Sequence, residues 1–318
     1  MSQRAVAKAD PASVKNKQRG RSAVLLIVAT TLWGASSVVL GKLGPAHGAG
    51  APLLAAGGAV TVLIVVLAGP ARSQLRRIAS VPRYPTSLLV IGLLEALNLG
   101  LYAAALAWGP VPVVVALHLM SPLLLMALAV IRRQRRLDSV VMLQVLLVIS
   151  GIILFGMQPA EQPGSKPLVA GVLAVGSAVA LTALISAVAK LAPTTNPDIA
   201  AAAQLTIAAV ATTPMILVAA PLDQFDAMVL LGAGAFFLGP AFAIYWRSLR
   251  GLNATTAGML GLNEVVSATL FSATLFGEQI SFVVGLSGVL MLTAVVLEFH
   301  RSKPGKNAST ARSGNKLE

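Results

Sequence analysis

Ten apolar runs dominate the sequence, and each is about 19 to 23 residues long, enough to cross the ~30 Å core of a bilayer as a helix. The runs cover residues 22–41, 50–68, 87–108, 111–131, 139–157, 167–189, 198–220, 227–246, 254–275 and 279–299. Of all residues, 56% are hydrophobic and only 11% are charged, a combination that is rare in soluble domains. Because lipid offers no partner to backbone N–H and C=O groups, the spanning segments must be helices. The sequence therefore predicts an all-α integral membrane protein with ten transmembrane helices.

Several helix starts are marked by residues that favour an N-cap. Asp138, Asn196, Asp226 and Asn253 each stand just before or at the start of an apolar run, where a side-chain oxygen can accept a bond from the first free N–H groups. Pro197 follows Asn196 and would lose no hydrogen bond at the first helical position. These residues predict helix boundaries and carry no chemistry.

Two polar segments flank the apolar runs. Residues 1–21 are basic, and the run after them is longer than the apolar core of a secretory signal peptide, so we expect a retained first helix. Residues 300–318 are rich in Ser, Asn and Lys and predict a disordered cytoplasmic tail. Between them we expect two five-helix halves, residues 22–157 and 167–299.

The basic residues indicate how the helices are oriented. The net charge is +13, but the Lys and Arg residues form short clusters between apolar runs rather than one face or tail, which argues against nucleic acid as a partner. If both termini are cytoplasmic, all but two of the 24 Lys and Arg lie inside, the exceptions being Lys42 and Lys166. We therefore expect a multi-pass protein of the cell (inner or plasma) membrane with both ends in the cytoplasm.

The two halves are expected to be inverted repeats, because five helices per half reverse the direction of the second half in the membrane. A shift of 143 residues preserves the spacing of the runs. The same shift superposes four identical or notable pairs: Tyr102 on Tyr245, Leu117 on Leu260, Leu119 on Leu262, and Arg135 on Glu278. So few matches are at the level of chance in this composition, and the spacing of the runs carries the prediction.

Acidic residues inside apolar runs are candidate functional groups. Glu264 lies near the middle of a run, and a carboxylate there costs roughly 2.5 to 3.5 kcal/mol on insertion scales. Glu95, Asn98 and Tyr102 are spaced at i, i+3 and i+7, so they share one face of the third helix. That face predicts the wall of a cavity, although a protonated carboxyl bonded between helices would also satisfy the pattern.

Further candidates lie on the fourth, first, eighth and ninth helices. His118, Ser121 and Pro122 share a face, and the missing N–H of Pro122 frees a carbonyl at about residue 118. A titratable imidazole near acids suits a proton relay, and a satisfied interhelical histidine is the alternative. Three other candidates have structural alternatives: Trp33 and Tyr245 could belong to the interfacial aromatic belt, and Asn263 could bind a neighbouring helix.

At these residues the chain resembles the drug/metabolite transporter superfamily, specifically the EamA family and its threonine/homoserine exporter-like group. The resemblance covers nearly the whole chain. Its motifs are LWGASSVVLGK (Trp33, Gly34, Lys42), LNLGLY (Asn98, Tyr102), VALHLMSPL (His118, Pro122), GMLGLNEVV (Glu264) and LFGEQIS (Gly277, Glu278). The group tends to have an acidic residue at the position of His118 and a Pro at the position of Val265.

The resemblance implies a secondary transporter that exports a small metabolite by alternating access. An amino acid such as threonine or homoserine is the first expectation, probably the wrong word for none of the alternatives being a cationic drug, a nucleobase or a sugar on the same fold. A membrane enzyme or lipid-handling protein is disfavoured, because the sequence has no HExxH, GxSxG, Walker or paired-aspartate motif.

With no Cys and three His, we expect neither a metal nor a cofactor. The expected partners are a small-molecule substrate, protons and the lipid bilayer, and a homodimer is a candidate assembly.

The orientation of the helices gives a testable prediction. Because this chain has no cysteine, single cysteines can be introduced at positions 134 and 163 and probed with an impermeant thiol reagent. In intact cells we expect labelling at position 163 only, and labelling at both after lysis. Labelling of position 134 but not 163 in intact cells would show that the orientation is reversed.

Overall fold

The computed structural model describes residues 11–43, 50–74, 83–157, 166–218 and 222–301. Within these ranges the chain forms helices and turns and no strand. Ten helices are long and apolar enough to cross a membrane, which confirms the ten expected segments. The predictions for residues 1–10, for residues 302–318 and for residues 161–165 of the loop between the halves lie outside the described residues.

We number the helices α1 to α10 in chain order. Their bounds are α1 Pro11–Leu43, α2 Gly50–Ala68, α3 Arg83–Trp108, α4 Val111–His118 with Ser121–Ile131, α5 Ser139–Gly156, α6 Pro167–Leu191, α7 Pro197–Thr212, α8 Gln224–Ser248, α9 Ala254–Gly261 with Asn263–Phe276, and α10 Phe282–Arg301. A short helix, Pro214–Val218, follows α7. The first helix starts well before the expected residue 22, since polar residues such as Lys17 and Gln18 are good helix formers and nothing in that stretch interrupts the helix.

Prolines account for most interruptions of these helices. Pro122 lacks the N–H that would continue α4, and a turn separates its two segments at Leu119 and Met120. In α8, Pro240 follows a π-helical turn, Gly234–Leu238, in which the Gly239 N–H bonds the carbonyl five residues back. The interruption of α9 at Leu262 has no proline beside it.

Three of the four predicted N-caps are confirmed. Asp138 accepts a bond from the Val141 N–H, and the Asn196 and Asn253 side chains cap α7 and α9 in the same way. The fourth prediction is wrong. The cap of α8 is Asp223, whose side chain accepts from the backbone N–H of Asp226 in the first turn. The sequence offers two aspartates three residues apart, and the helix begins at the earlier one.

Ion pairs tie α10 to the connection between α4 and α5. Arg135 bonds Glu298 and Gln144, each at 2.8 Å, and all but 3% of Glu298 is buried. Thr256, at the start of α9, donates to the other Glu298 oxygen at 2.7 Å. Arg301 pairs with the cap residue Asp138, and its hydrogen bond is the main reason that the pKa of Asp138 falls to about 2. These contacts hold one end of α5, α9 and α10 together.

The two halves pack against each other through six pairs of helices. Three of these contacts are α2 with α7, α4 with α9, and α5 with α10. The others are α1 with α8 and α3 with α6, α2 with α8 and α3 with α7, and α1 with α9 and α4 with α6. Large apolar side chains cover the outside of the bundle: among them, Ile64, Val172 and Phe236 are exposed by 60% or more.

The closest helix approach is between α2 and α8. A Cβ atom on Gly57 would lie 2.0 Å from the Leu231 carbonyl oxygen, and one on Gly234 would lie 2.1 Å from the Leu54 carbonyl oxygen. No side chain fits at such distances. Only glycine lets the two backbones touch here, and small residues serve the same purpose between membrane helices generally.

This contact predicts that Gly234→Ala destabilises the bundle by about 1 to 3 kcal/mol, because the methyl group forces the two helices apart. We expect the melting temperature of the detergent-solubilised protein to fall by several degrees. Gly232→Ala is the matched control on the same helix, since nothing lies within 4 Å of its added Cβ. Equal melting temperatures for the two variants would contradict the close approach.

Candidate functional site

A central cavity of about 100 Å³ lies inside the bundle and is lined by helices of both halves. Its walls come from α1, α2, α3, α4, α6, α8 and α9. Eight of the nine residues singled out in the sequence line it: Glu264, Glu95, His118, Asn98, Tyr102, Trp33, Ser121 and Tyr245. The folded chain thus brings together side chains that are up to 231 residues apart in sequence by position, from Trp33 to Glu264.

The ninth residue, Asn263, lies outside this cavity wall. Its amide donates to the Ile27 carbonyl oxygen at 3.3 Å and to the hydroxyls of Thr30 and Thr31, each at 3.1 Å. It also contacts the Ser267 hydroxyl at 3.3 Å. Asn263 therefore joins α9 to α1, as the structural alternative for this residue described.

A second cavity, of about 380 Å³, adjoins the first. It lies among the ends of α1, α5 and α9 and the beginnings of α4 and α10, and we call it the vestibule. Both cavities share one wall, made of Ser37, Tyr102, His118, Leu119 and Glu264. A solute that moves between the cavity and the vestibule must pass these five residues.

An ion pair lies at the vestibule wall. Lys42, at the end of α1, bonds Glu278, which follows α9, and Ser272 donates to the same carboxylate. Hydrogen bonds from Lys42 and then Ser272 hold the pKa of Glu278 below its usual range. The pair joins α1 to the turn between α9 and α10 across the vestibule.

Glu264 faces both cavities and bonds α1. The Ser37 hydroxyl donates to its Oε1 at 2.6 Å. The approach of α1 to α9 that permits this bond depends on Gly34, because a Cβ there would lie 2.8 Å from both the Glu264 carbonyl oxygen and the Ala268 nitrogen. Glu264 is therefore an acid at the shared wall with a single bonded hydroxyl.

Glu95 is held by a chain of hydrogen bonds. The Gln204 side-chain N–H donates to Glu95 Oε2 at 3.1 Å, and Trp246 Nε1 donates to Gln204 Oε1 at 2.8 Å. Since the indole N–H can only donate, it fixes the orientation of the Gln204 amide and presents the amide N–H groups to Glu95. The Asn98 side chain donates to the same carboxyl. Glu95 is anchored to α7 and, through Gln204, to α8.

His118 continues this chain on α4. The Ser177 hydroxyl lies 2.9 Å from His118 Nδ1, 2.9 Å from the Asn98 carbonyl oxygen and 3.1 Å from Asn98 Oδ1. Both Asn98 oxygens can only accept, so the single Ser177 proton goes to Asn98 and His118 Nδ1 must be the donor. In a neutral imidazole, Nε2 is then the unprotonated nitrogen. The Tyr102 ring packs on this imidazole, with 4.5 Å between centroids.

Aromatic rings form another part of the cavity wall. The Trp33 ring centroid lies 4.8 Å from that of Tyr245 and 5.1 Å from that of Phe242. Trp33 Nε1 and the Tyr245 hydroxyl are both buried, and neither has a hydrogen-bond partner among the described residues. These two polar atoms are the ones in the cavity wall that the fold leaves unsatisfied.

Four residues that support the site were not singled out in the sequence: Ser37, Ser177, Gln204 and Trp246. Gln204 had a usable signal, since an uncharged amide inside an apolar run is costly in lipid and needs a partner. Ser37 and Ser177 had none, because serine is tolerated in membrane helices at many positions. Within the described part of the chain, no three His, Asp or Glu side chains converge as a metal site would require.

Comparison with known proteins supports the fold alone. No family model and no curated protein matches the chain. Twenty-seven solved chains resemble it in structure. One of them, described only as "Crystal structure of protein", is 16% identical and superposes with a TM-score of 0.65 over 87% of this chain and 97% of its own.

The chain of bonds around Glu95 predicts that Gln204→Leu is strongly destabilising, because it strands the Trp246 indole N–H and removes a donor from a buried carboxyl. We expect a loss of about 2 to 4 kcal/mol, seen as a lower melting temperature. Thr206→Val on the same helix is the matched control. Its hydroxyl is buried without a partner among the described residues, so this variant should be neutral or stabilised. Equal losses in both variants would contradict the proposed role of Gln204.

Proposed function

We propose that this protein is an integral membrane transporter that exports a small metabolite by secondary active transport. The observation that carries the proposal is the central cavity, which contains two buried acids and adjoins a vestibule at one end of a ten-helix apolar bundle. The acids and the imidazole are supported by a connected set of hydrogen bonds. Intramembrane acids of this kind mark pathways for protons or cargo.

The outer surface of the bundle supports the membrane assignment. Large apolar side chains are exposed on it from α1 to α10, and soluble proteins rarely expose apolar patches of this extent. The buried polar groups, in contrast, face the interior. The positions of Lys and Arg support a cell membrane location with both termini in the cytoplasm.

We infer that the two halves are inverted repeats, and the helix contacts support this. If α1 to α5 correspond to α6 to α10, then each contact between the halves has a counterpart: α1 with α8 matches α6 with α3, and α1 with α9 matches α6 with α4. The contacts of α2 with α7, α4 with α9 and α5 with α10 each join a helix to its own counterpart. This is the pattern of a two-fold axis.

The shift of 143 residues supports the same inference in the site. It relates the interruption of α4 at Leu119 to that of α9 at Leu262. It also relates six pairs of residues that line the cavity: Glu95 and Leu238, Leu99 and Phe242, Tyr102 and Tyr245, His118 and Gly261, Leu119 and Leu262, and Ser121 and Glu264. A cavity between inverted repeats is the usual site of substrate in secondary transporters, which expose it to each side in turn.

The resemblance to the EamA family of drug/metabolite transporters makes an amino acid such as threonine or homoserine the first candidate cargo, with proton antiport as the coupling. A cationic cargo is the second candidate. The observation in its favour is that the described residues lining the central cavity include two carboxylates and no Lys or Arg. A homodimer is compatible with the apolar outer faces.

The proposal is tested with purified protein in liposomes that are loaded with a panel of amino acids, organic cations, nucleobases and sugars. We expect efflux of one class to be accelerated by an opposing proton gradient and to acidify or alkalise the lumen in step with transport. Absence of flux for every compound, from protein shown to be folded, would contradict a transport function.

Glu264 provides the sharpest prediction of the mechanism. Proton exchange requires an acid that holds a proton on one side of the membrane and releases it when cargo binds. Glu264→Gln resembles the protonated form, so we expect proton-driven flux to fall at least tenfold while the protein stays folded and retains some cargo binding. If Glu264 instead binds the ammonium group of the cargo, binding measured by calorimetry should collapse as well. Wild-type flux in the variant would exclude Glu264 from the mechanism.

A further inference from the structure

Two donors in the central cavity lack an acceptor. Trp33 Nε1 can only donate a hydrogen bond, and the Tyr245 hydroxyl is bonded to nothing among the described residues. Only 2% of Tyr245 is exposed, and both residues line the cavity with their rings in contact. Buried donors are almost always paired in folded proteins, so two adjacent unpaired ones point to a group that arrives from outside the chain.

The neighbourhood of these donors limits what that group can be. Trp33 and Ser37 are four residues apart on α1, so their side chains leave the same face of the helix about 6 Å apart. Ser37 bonds Glu264 at 2.6 Å. The unpaired donors and the Glu264 carboxylate are therefore about one helical turn apart, and the cavity between them is small. A compact solute could reach both.

We propose that Trp33 Nε1 and the Tyr245 hydroxyl form a subsite for an oxygen acceptor of the cargo, while Glu264 takes its ammonium group. The cargo is then an amine with a carbonyl or carboxylate oxygen close to the nitrogen, as in an α-amino acid or its amide, rather than a simple organic cation. This inference rests on the proposed transport function, because it names the chemistry of the solute that the same cavity holds.

The charges around the subsite fit this division. Both donors are neutral, so they accept either a carboxylate or an uncharged carbonyl oxygen. The described lining residues carry no Lys or Arg that would select a free anion, and the two carboxylates of the cavity favour a positive group nearby. An amine without an oxygen acceptor would leave both donors buried and unpaired, which lowers its affinity.

The test measures binding of three related compounds to the full-length protein in detergent: threonine, threonine amide, and 1-amino-2-propanol, which lacks the carboxyl group. In the wild type we expect the amine to bind more weakly than the other two. In Tyr245→Phe, we expect binding of threonine and its amide to weaken about three- to tenfold, with binding of the amine unchanged. Weaker binding of threonine alone would assign the subsite to a carboxylate.

Tyr102→Phe is the comparison variant, because it removes the equivalent hydroxyl from the other half. It should change the affinity for all three compounds by the same factor, whatever that factor is. Tyr245→Phe should also keep or raise the melting temperature without ligand, since it deletes an unpaired hydroxyl. A lower melting temperature would show that the hydroxyl serves the fold, and would overturn the subsite.

The remaining outcomes separate the subsite from the function. Equal weakening of all three compounds in Tyr245→Phe, or no weakening of any, would overturn the subsite even if transport is normal. Selective weakening in a protein that binds these compounds but shows no flux in liposomes would support the subsite and contradict transport. Absence of binding of all three to the folded wild type would overturn the subsite itself.

Discussion

The structure depends on one constraint: polar groups inside an apolar bundle must find their partners within the protein, because neither lipid nor bulk water can supply them. Glu95 shows how much of the fold this takes. Its carboxyl receives a bond from Gln204, and that amide is oriented in turn by Trp246. Through Asn98, the same network reaches Ser177 on α6. Side chains on four helices are thus fixed relative to one another by one buried acid.

The interruptions of the helices serve the same cavity. α4 breaks next to His118, and α9 breaks at Leu262, two residues before Glu264. The π-helical turn of α8 ends at Leu238, which lines the cavity. Each irregular turn lies where helices of both halves face the cavity, and irregular backbone inside a membrane protein is tolerated only where it is covered by protein or lines a cavity. Rigid helices therefore carry the polar side chains on turns that can adjust locally.

Much of this arrangement could be predicted from the sequence, because apolar length and charge placement are strong signals. The ten helices and eight of the nine candidate residues lie where they were expected or line one cavity. Asn263 could not be assigned, since an amide in an apolar run serves a helix contact as well as a cavity, and only the position of α1 decides between them. The break in α9 was equally hidden: the proline that marks α4 is replaced by Val265 in α9. Asp226 failed as a cap because Asp223 competes for the same role at a spacing of three residues.

The two acids are not equivalent, and this asymmetry is where the halves diverge. Under the shift that relates the halves, Glu95 corresponds to Leu238 and Glu264 to Ser121, so each acid faces an uncharged residue at the matching position. Two carboxylates at equivalent positions near a two-fold axis would lie close together and repel. Glu95 is instead fixed by several donors away from the vestibule wall, whereas Glu264 lies at the shared wall with one bonded hydroxyl. A duplicated scaffold has thus produced one acid that holds the helices in place and one that remains able to exchange its partner.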